Sequence, residues 1–392
     1  MKRSFLFLLV IILYSCSHTP VLTEPEPVQA EELKAPRAEI QAQREPDYIT
    51  IIAAGDNLYH DVMIRSGEDG DYESVYSELR ELTEKADIAF INQETLLAGG
   101  EFGFSGYPRF NTPQALGRAI AESGFNAVNH ATNHVMDKGE KAILATLNFW
   151  DTESDITVLG IHRSEEERKI PKLITKNNIT LGFLSYTYGT NGLAVPKDKS
   201  YLVSLIDDEI MAEEINALRP LCDVLIVSMH WGDEYQHNPN SSQKDMAAFL
   251  AEHRVDLVIG HHPHVIQPFE TIDRPDGKIM FCFYSLGNLI SAQTRNPTLL
   301  GALAYVKIGK SHTGETSAVF FKEAGAIPVV THFEKGYTEF KVYPLYSYTE
   351  ELAEKHYKNQ TQKEITVGYF GDLALKIIGD KELRQNPFNT NE

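Results

Sequence analysis

Residues 256–266 read DLVIGHHPHVI, an apolar run that ends in glycine and then sets His261, His262 and His264 within four positions. Crowded imidazoles repel one another once protonated, and they are relieved when they bind a cation as neutral ligands. Other groups with the same capacity also close apolar runs. Asp56 ends YITIIAAGD and Glu94 ends DIAFINQE; Asn133 and His134 end FNAVNHATNH, and His230 ends DVLIVSMH. One histidine after a strand is ordinarily a hydrogen-bonded structural residue, and one Asp after a glycine is often a helix N-cap. A whole set at strand ends calls for another reason.

Carboxylate, amide and imidazole donors together suit Mn, Zn or Fe. Calcium prefers all-oxygen cages, and structural zinc is usually held by cysteine. Six or seven such groups exceed what one tetrahedral ion needs. A dinuclear centre with a bridging carboxylate would use them, activating water and clamping both oxygens of a displacement at phosphorus.

Those residues need elements that converge. From Tyr48 onward strand-like and helix-like stretches alternate: YITIIAAGD, then SVYSELRELTEKA; DIAFINQE, then TPQALGRAIAES; FNAVNHATNH, then KGEKAILATLNFWDTES. After ITVLG and the β-pair PKLITKNNITLGFLSYTYG come helix LIDDEIMAEEINALRP, strand DVLIVSMHWG, helix SSQKDMAAFLAEHR and strands VDLVIGHHPH and KIMFCFYSLGN. This order predicts an α/β sheet covered on both faces, whose strand ends form the ligand-binding rim. Past about residue 296 the pattern changes. LLGALAYVKIG, SAVFFKEAGAIPVVTHFE and YTEFKVYPLYSY read as antiparallel strands, and TEELAEKHYK and VGYFGDLALKIIG as helices. They form either a C-terminal subdomain or an addition to the main sheet.

The N-terminus has its own signal. MKRSFLFLLVIILYSC sets Lys2 and Arg3 before an apolar run, Phe5 to Leu13, that suits a signal-peptide core and is short for a permanent span. Leu13 and the small Ser15 before Cys16 resemble a bacterial lipobox, although Tyr14 is bulkier than usual there. The expectation is a lipoprotein signal over 1–16 and a protein exported and lipid-anchored through Cys16 to the cell envelope, facing the periplasm or the cell surface. The alternative is an ordinary secretory signal. Residues 17–46, rich in Pro, Glu, Ala and Gln, read as a flexible tether. Cys222 and Cys282 lie in apolar runs and make no disulfide framework; free thiols are the default. A net charge of −19, with no basic run beyond the N-terminus, argues against nucleic acid as a partner.

GDNLYHD, INQE, NHATNHVMDKG, MHWGDEY, DLVIGHHPHVIQPFE and YSLGNLI, in that order over about residues 48–295, closely resemble the CapA-type poly-γ-glutamate capsule synthesis family. YPRFNTP and SYTYGTNG resemble it too. That family is grouped with the calcineurin-like metallophosphatases. The resemblance implies a layered α/β sandwich of mixed sheets flanked by helices over 47–295 and fades beyond about residue 296, where the pattern itself reads as a small C-terminal α+β extension over 296–392. It implies a first metal held by Asp56 and His264, Glu94 as the bridging acid, and a second metal held by Asn133, His230 and His262. His134 becomes a general acid and Asp137 the residue that orients it.

The chain departs from the wider superfamily's Asp-x-His motif, because Asn57 and Leu58 follow Asp56 and the next histidine is His60. The bridging acid is Glu rather than Asp. Substrate-contact candidates are Asn57, His60, Arg109, Tyr186, Asn191, Tyr235 and His237, with His130 and His261 as possible supports behind the ligands. The implied function is a metal-dependent hydrolase with two divalent ions, Mn, Zn or Fe, acting on a phosphoester or envelope-polymer bond. Its partners would be an anionic envelope polymer or the capsule-synthesis machinery. The alternative is a tethered, non-catalytic accessory protein that binds polymer or synthase subunits.

Overall fold

In the computed structural model the first apolar run becomes strand β1 (Asp47–Asn57), buried at every position from Ile51 onward. The structure describes residues 45–67, 72–313, 316–359 and 365–389. The signal segment with Cys16, and the tether up to residue 44, lie outside them. Two sheets stack. The first contains β1, β2 (Ile88–Gln93), β3 (Ala127–Asn129) and β4 (Thr157–Leu159); the second begins with β5 (Lys172–Lys176), β6 (Ile179–Thr187), β7 (Val224–His230) and β8 (Leu257–His261). β9 (Phe269–Asp273) and β10 (Ile279–Phe283) complete the second sheet. β11 (Asn288–Ile290), β12 (Leu300–Thr313), β13 (Thr316–Glu334) and β14 (Thr338–Pro344) return to the first. The orders are β14-β13-β12-β1-β2-β3-β4, with β11 beside β1, and β5-β6-β7-β8-β10-β9.

The helices are α1 (Asp61–Ser66), α2 (Arg80–Lys85), α3 (Gln114–Glu122), α4 (Glu140–Trp150), α5 (Glu165–Arg168), α6 (Asp208–Leu218), α7 (Ser241–Glu252), α8 (Glu350–Lys355) and α9 (Val367–Ile378). None of the described helices is long and apolar enough to cross a membrane. The strands past residue 296 are an addition to the main sheet. β12 runs antiparallel along β1, from Asp47 opposite Lys310 to Ala54 opposite Leu303.

Strand alternation decides what reaches the site. Val224 and Ile226 of β7 and Leu257 and Ile259 of β8 pack in the core between the sheets. Leu225, Val227 and Met229 pack on the other face with Met211 and Ile215 of α6 and Ala247 and Leu250 of α7. Each fully buried aliphatic chain contributes about 1.5–3 kcal/mol, so a one-residue slip is strongly disfavoured. His230 and His261 have the parity of the inter-sheet set, and that register carries both to the rim.

Two glycines let backbones close around that rim. A Cβ on Gly55 would lie 2.0 Å from the carbonyl oxygen of Gly287, and one on Gly260 would lie 2.0 Å from that of Tyr284. No other residue fits either position without moving a strand. Further along, the Asn240–Gln243 capping box starts α7 and pins the end of the loop 231–240 that follows His230.

Candidate metal centre

Register sets the floor of the site. Asp56 pairs with Asn92 across β1 and β2, and Asn92 with Asn129 across β2 and β3. In the second sheet Thr187, His230 and His261 stand side by side across β6, β7 and β8. The two rows end at the same rim.

Asp56 is fully buried and heavily supported. Its Oδ1 accepts from Asn92 Nδ2 at 2.8 Å, and its two oxygens accept from the His262 N–H at 3.3 and 3.2 Å. His264 Nδ1 lies 3.0 Å from Oδ2 and 3.1 Å from Asn288 Oδ1, so Nδ1–H has two acceptors and Nε2 is left to face Glu94 Oε1 at 3.9 Å. Burial raises the Asp56 carboxyl, but His264 and His261 more than offset that and hold it below the usual range. Burial likewise lowers His264, yet Glu94 and Asp56 beside it bring it up to about 9.

Glu94 is the buried acid between two groups of donors. With Asp56 and His264 it forms one set, and with His230 and His262 another, each with its ligand atoms within 4.8 Å of one another. Both Glu94 oxygens lack a hydrogen-bond partner, as do His230 Nδ1 and His262 Nδ1. Burial drives the Glu94 carboxyl well up, and only His264 acts strongly against it. Burial also lowers His262 to about 3, and burial with the neighbouring imidazoles holds His230 well below its usual range. Buried donors with no protein partner are costly to fold and are characteristic of a site completed by a ligand. This donor set fits divalent cations, with Glu94 common to both groups.

The loop that carries the histidines is strained. His262 and His264 have φ of +96° and +58°, and neither is glycine. Such conformations cost on the order of 1–3 kcal/mol and persist where the surroundings over-determine them. Here the His262 N–H is tied to Asp56, and the His264 imidazole to Asp56 and Asn288.

Asn133 Oδ1 is 3.0 Å from His230 Nε2, and Asn133 Nδ2 donates to Asn191 Oδ1 at 3.3 Å. His134 Nδ1 is 2.8 Å from Asp137 Oδ2, which also accepts the Phe110 N–H at 2.7 Å. With Nδ1 engaged, Nε2 is the free end of the ring.

The other candidates divide. Asn191 is in the site, with Nδ2 3.4 Å from His134 Nδ1. The Tyr235 ring stands 6.1 Å from that of His264, under the Arg295 guanidinium at 3.9 Å. His60 packs edge-on to Phe110, and burial, with His264 adding to it, lowers its pKa to about 4. Asn57 instead donates to Gln93 Oε1 at 2.5 Å and accepts from the Tyr76 hydroxyl at 2.8 Å, which turns it into the core. His237 is committed to the Ile266 carbonyl at 2.8 Å. Arg109 is exposed, and the bond at this residue runs from Ser105 Oγ to its backbone carbonyl. Tyr186 is buried against α6, its hydroxyl donating to Glu214 Oε2 at 2.6 Å, and does not face the rim.

His261 sits behind the candidate ligands, 3.7 Å from Asp56 and stacked on Phe90, whereas His130 accepts from Trp150 Nε1 at 2.8 Å within the core. Trp231 packs on Tyr284. Cys222 and Cys282 are free thiols.

Sequence reasoning passed over three residues. Tyr188 is 48% exposed, and its ring lies 4.7 Å from that of His262. Glu234 forms a third group with His262 and His264. Arg295 covers Tyr235. The first two lie within SYTYGTNG and MHWGDEY, so those motifs were the available signal; nothing near Arg295 marked it.

The model of the family described as bacterial capsule synthesis protein PGA_cap matches residues 50–293. The PGA biosynthesis protein CapA of Bacillus subtilis (strain 168) is 31% identical over 216 residues, covering 54% of this chain and 55% of that protein. The capsule biosynthesis protein CapA of Bacillus anthracis is 27% identical over 224 residues, covering 56% and 53%. The chain thus spans about half the length of the curated relatives it matches. Among solved structures, the NAD nucleotidase (NadN) of Haemophilus influenzae aligns at a TM-score of 0.43 with 11% identity, over 76% of this chain and 54% of that one. A hypothetical protein from Thermus thermophilus aligns at 0.39 with 14% identity, over 70% and 98%.

Proposed function

The chain belongs to the bacterial capsule synthesis protein PGA_cap family, and from that premise we propose that it is an exported metal-dependent hydrolase cleaving a phosphoester or envelope-polymer bond. The observation that carries the reading is Glu94, buried and unpartnered where two histidine–carboxylate groups meet. Asp56, Glu94 and His264 would hold one ion, and Glu94, Asn133, His230 and His262 the other. When bound, two divalent ions supply Lewis acidity, activation of water and neutralisation of developing charge.

The remaining work belongs to the chain. Asp137 fixes the His134 ring, so that Nε2 presents its proton to a leaving group. Asn191 braces Asn133 and the back of that ring. Tyr188 covers His262 and limits water, while Arg295 on Tyr235 gives the rim of an acidic protein a cation for an anionic substrate. The N-terminal pattern supports attachment to the envelope membrane through lipid on Cys16. Membership of a capsule synthesis family supports an anionic capsule polymer or the synthesis machinery as partner.

A second reading, a tethered non-catalytic accessory protein, draws on Asn57. The residue that follows Asp56 is committed to Gln93 and Tyr76, and no imidazole stands at the next position.

The deciding experiment is elemental analysis of the full chain purified without chelator, beside Glu94→Ala and His264→Ala, followed by a screen of phosphodiesters and polymer amides. Close to two ions per chain, lost in both variants, together with turnover, supports the hydrolase. Bound metal without turnover favours the accessory reading. No metal after incubation with Mn or Zn defeats both the dinuclear centre and the hydrolysis assigned to it.

A further inference from the structure

β4 is one edge strand of the first sheet, and β5 with β6 forms the pair at one edge of the second. Between them, closed by α5 and α6, lies a cavity of ≈ 390 Å³. None of the candidate metal ligands lines it. Its size is that of a small-molecule pocket. Leu159, Phe183 and Leu218 supply buried apolar wall, and Ile170 and Ile210 line it while remaining 58% and 38% exposed. Two large aliphatic chains left in water beside one cavity suggest that something apolar covers them.

The polar lining is specific. Arg168 is held as a rigid fork: Nε donates to Glu214 Oε1 at 2.7 Å and Nη1 to the Ser200 carbonyl at 3.3 Å. The other Glu214 oxygen is taken by the Tyr186 hydroxyl. Arg168 Nη2 is nevertheless buried with no partner. His162 Nε2 lies 3.2 Å from Ser204 Oγ, and His162 Nδ1 is likewise buried and unpartnered. Burial lowers the His162 pKa to about 3, so the ring is neutral. In the tautomer whose Nε2 accepts from the Ser204 hydroxyl, Nδ1–H is a second unused donor. A buried donor left without an acceptor forfeits the hydrogen bonds it made in water, and two lining one cavity mark a place for an acceptor.

We propose that this cavity is a second ligand site that takes a small amphipathic carboxylate. Its oxygens accept from Arg168 Nη2 and His162 Nδ1, and its apolar body lies against Leu159, Phe183 and Leu218. A carboxylate fits because it offers acceptors only, and a guanidinium edge pairs with it more strongly than with a neutral carbonyl. The assignment is independent of the hydrolase reading, since it uses no metal ligand and no residue given a catalytic part.

The test is titration of the full chain with hexanoate by calorimetry and ligand-observed NMR, beside hexanamide. Saturable one-to-one binding of hexanoate is expected, with hexanamide about tenfold weaker, the difference made by one charge-assisted hydrogen bond. Ala217→Trp, on an exposed position of the cavity wall, should abolish binding without unfolding the protein. Arg168→Lys keeps the charge opposite Glu214 and should weaken binding about tenfold by losing the fork. Non-saturable binding, equal binding of the amide, or binding indifferent to Ala217→Trp would each overturn the proposal.

Discussion

His134 Nδ1 lies 2.8 Å from Asp137 Oδ2, three residues further along the same loop, and the Phe110 N–H holds that carboxylate oxygen from the other side. The ring is therefore fixed by a buried acid that touches none of the candidate ligands.

Asp137→Asn replaces the acceptor with an amide that presents either end to the ring. On a phosphodiester substrate kcat should fall about 10- to 100-fold with KM and metal content little changed. Elemental analysis beside steady-state kinetics decides it. Loss of metal in this variant would show that Asp137 shapes the metal centre, not the acid.

Glu94→Gln should have opposite effects with and without metal. In EDTA, removing a buried, unpartnered ionisable group should stabilise the protein by about 1–3 kcal/mol at pH 8. With Mn or Zn added, the wild type should gain stability and the variant should not. Urea unfolding in both buffers measures this. A variant destabilised in EDTA that still gained fully from metal would remove Glu94 from the ligand set.

Tyr188 and Tyr186 separate rim from core. Tyr188→Ala uncovers His262 and should raise KM with stability unchanged to within about 0.5 kcal/mol. Tyr186→Phe loses the bond to Glu214 and should cost about 1 kcal/mol of stability without altering kinetics. The reverse pattern in the paired measurements would exchange their roles.

In the chelated protein, stability should peak near neutral pH. Burial holds His60 and His261 at about 4 and His130, His162 and His262 at about 3. The unfolded chain takes up those protons from about pH 6.5 downward, so their contribution is full above that pH and lost as pH falls toward the folded values. His264, brought up to about 9 against the effect of its burial, has the opposite sign: full below about 6.5, it is lost as pH rises through 9. Each proton is worth about 1.4 kcal/mol per pH unit. Urea midpoints from about pH 5 to 9.5 report both limbs, and His264→Asn should flatten the alkaline one and make the acid one shallower, because His264 helps to lower His60 and His262. A flat acid limb would mean that the buried imidazoles are not neutral.

The candidate donors were legible in the sequence because each follows its own apolar run, and a strand ends near where its polar residue begins. Asp56, Glu94, His230 and GHHPH needed no contact map. The parity of His230 with Val224 and Ile226 also follows from a period of two. The substrate contacts were less legible. Tyr186 and Tyr188 differ by two residues and no propensity separates them, but the strand stops at Thr187, so one ring enters the helix-covered core and the other reaches the rim. The C-terminal strands gave no sign of whether they stood apart, because pairing with β1 joins residues more than 240 positions apart.

By itself the sequence determined the types of candidate ligand, the α/β order that places them at strand ends and the family motifs that connect them. Those depend on local pattern and on chemistry carried by single side chains. Only the tertiary structure decided that Asn57 turns inward, that Arg295 reaches Tyr235, that Glu94 stands unpartnered between two groups and that Arg168 and His162 share one cavity. Each of these depends on which distant backbone comes within a few ångströms, and that is settled by sheet register and loop closure rather than by any one segment.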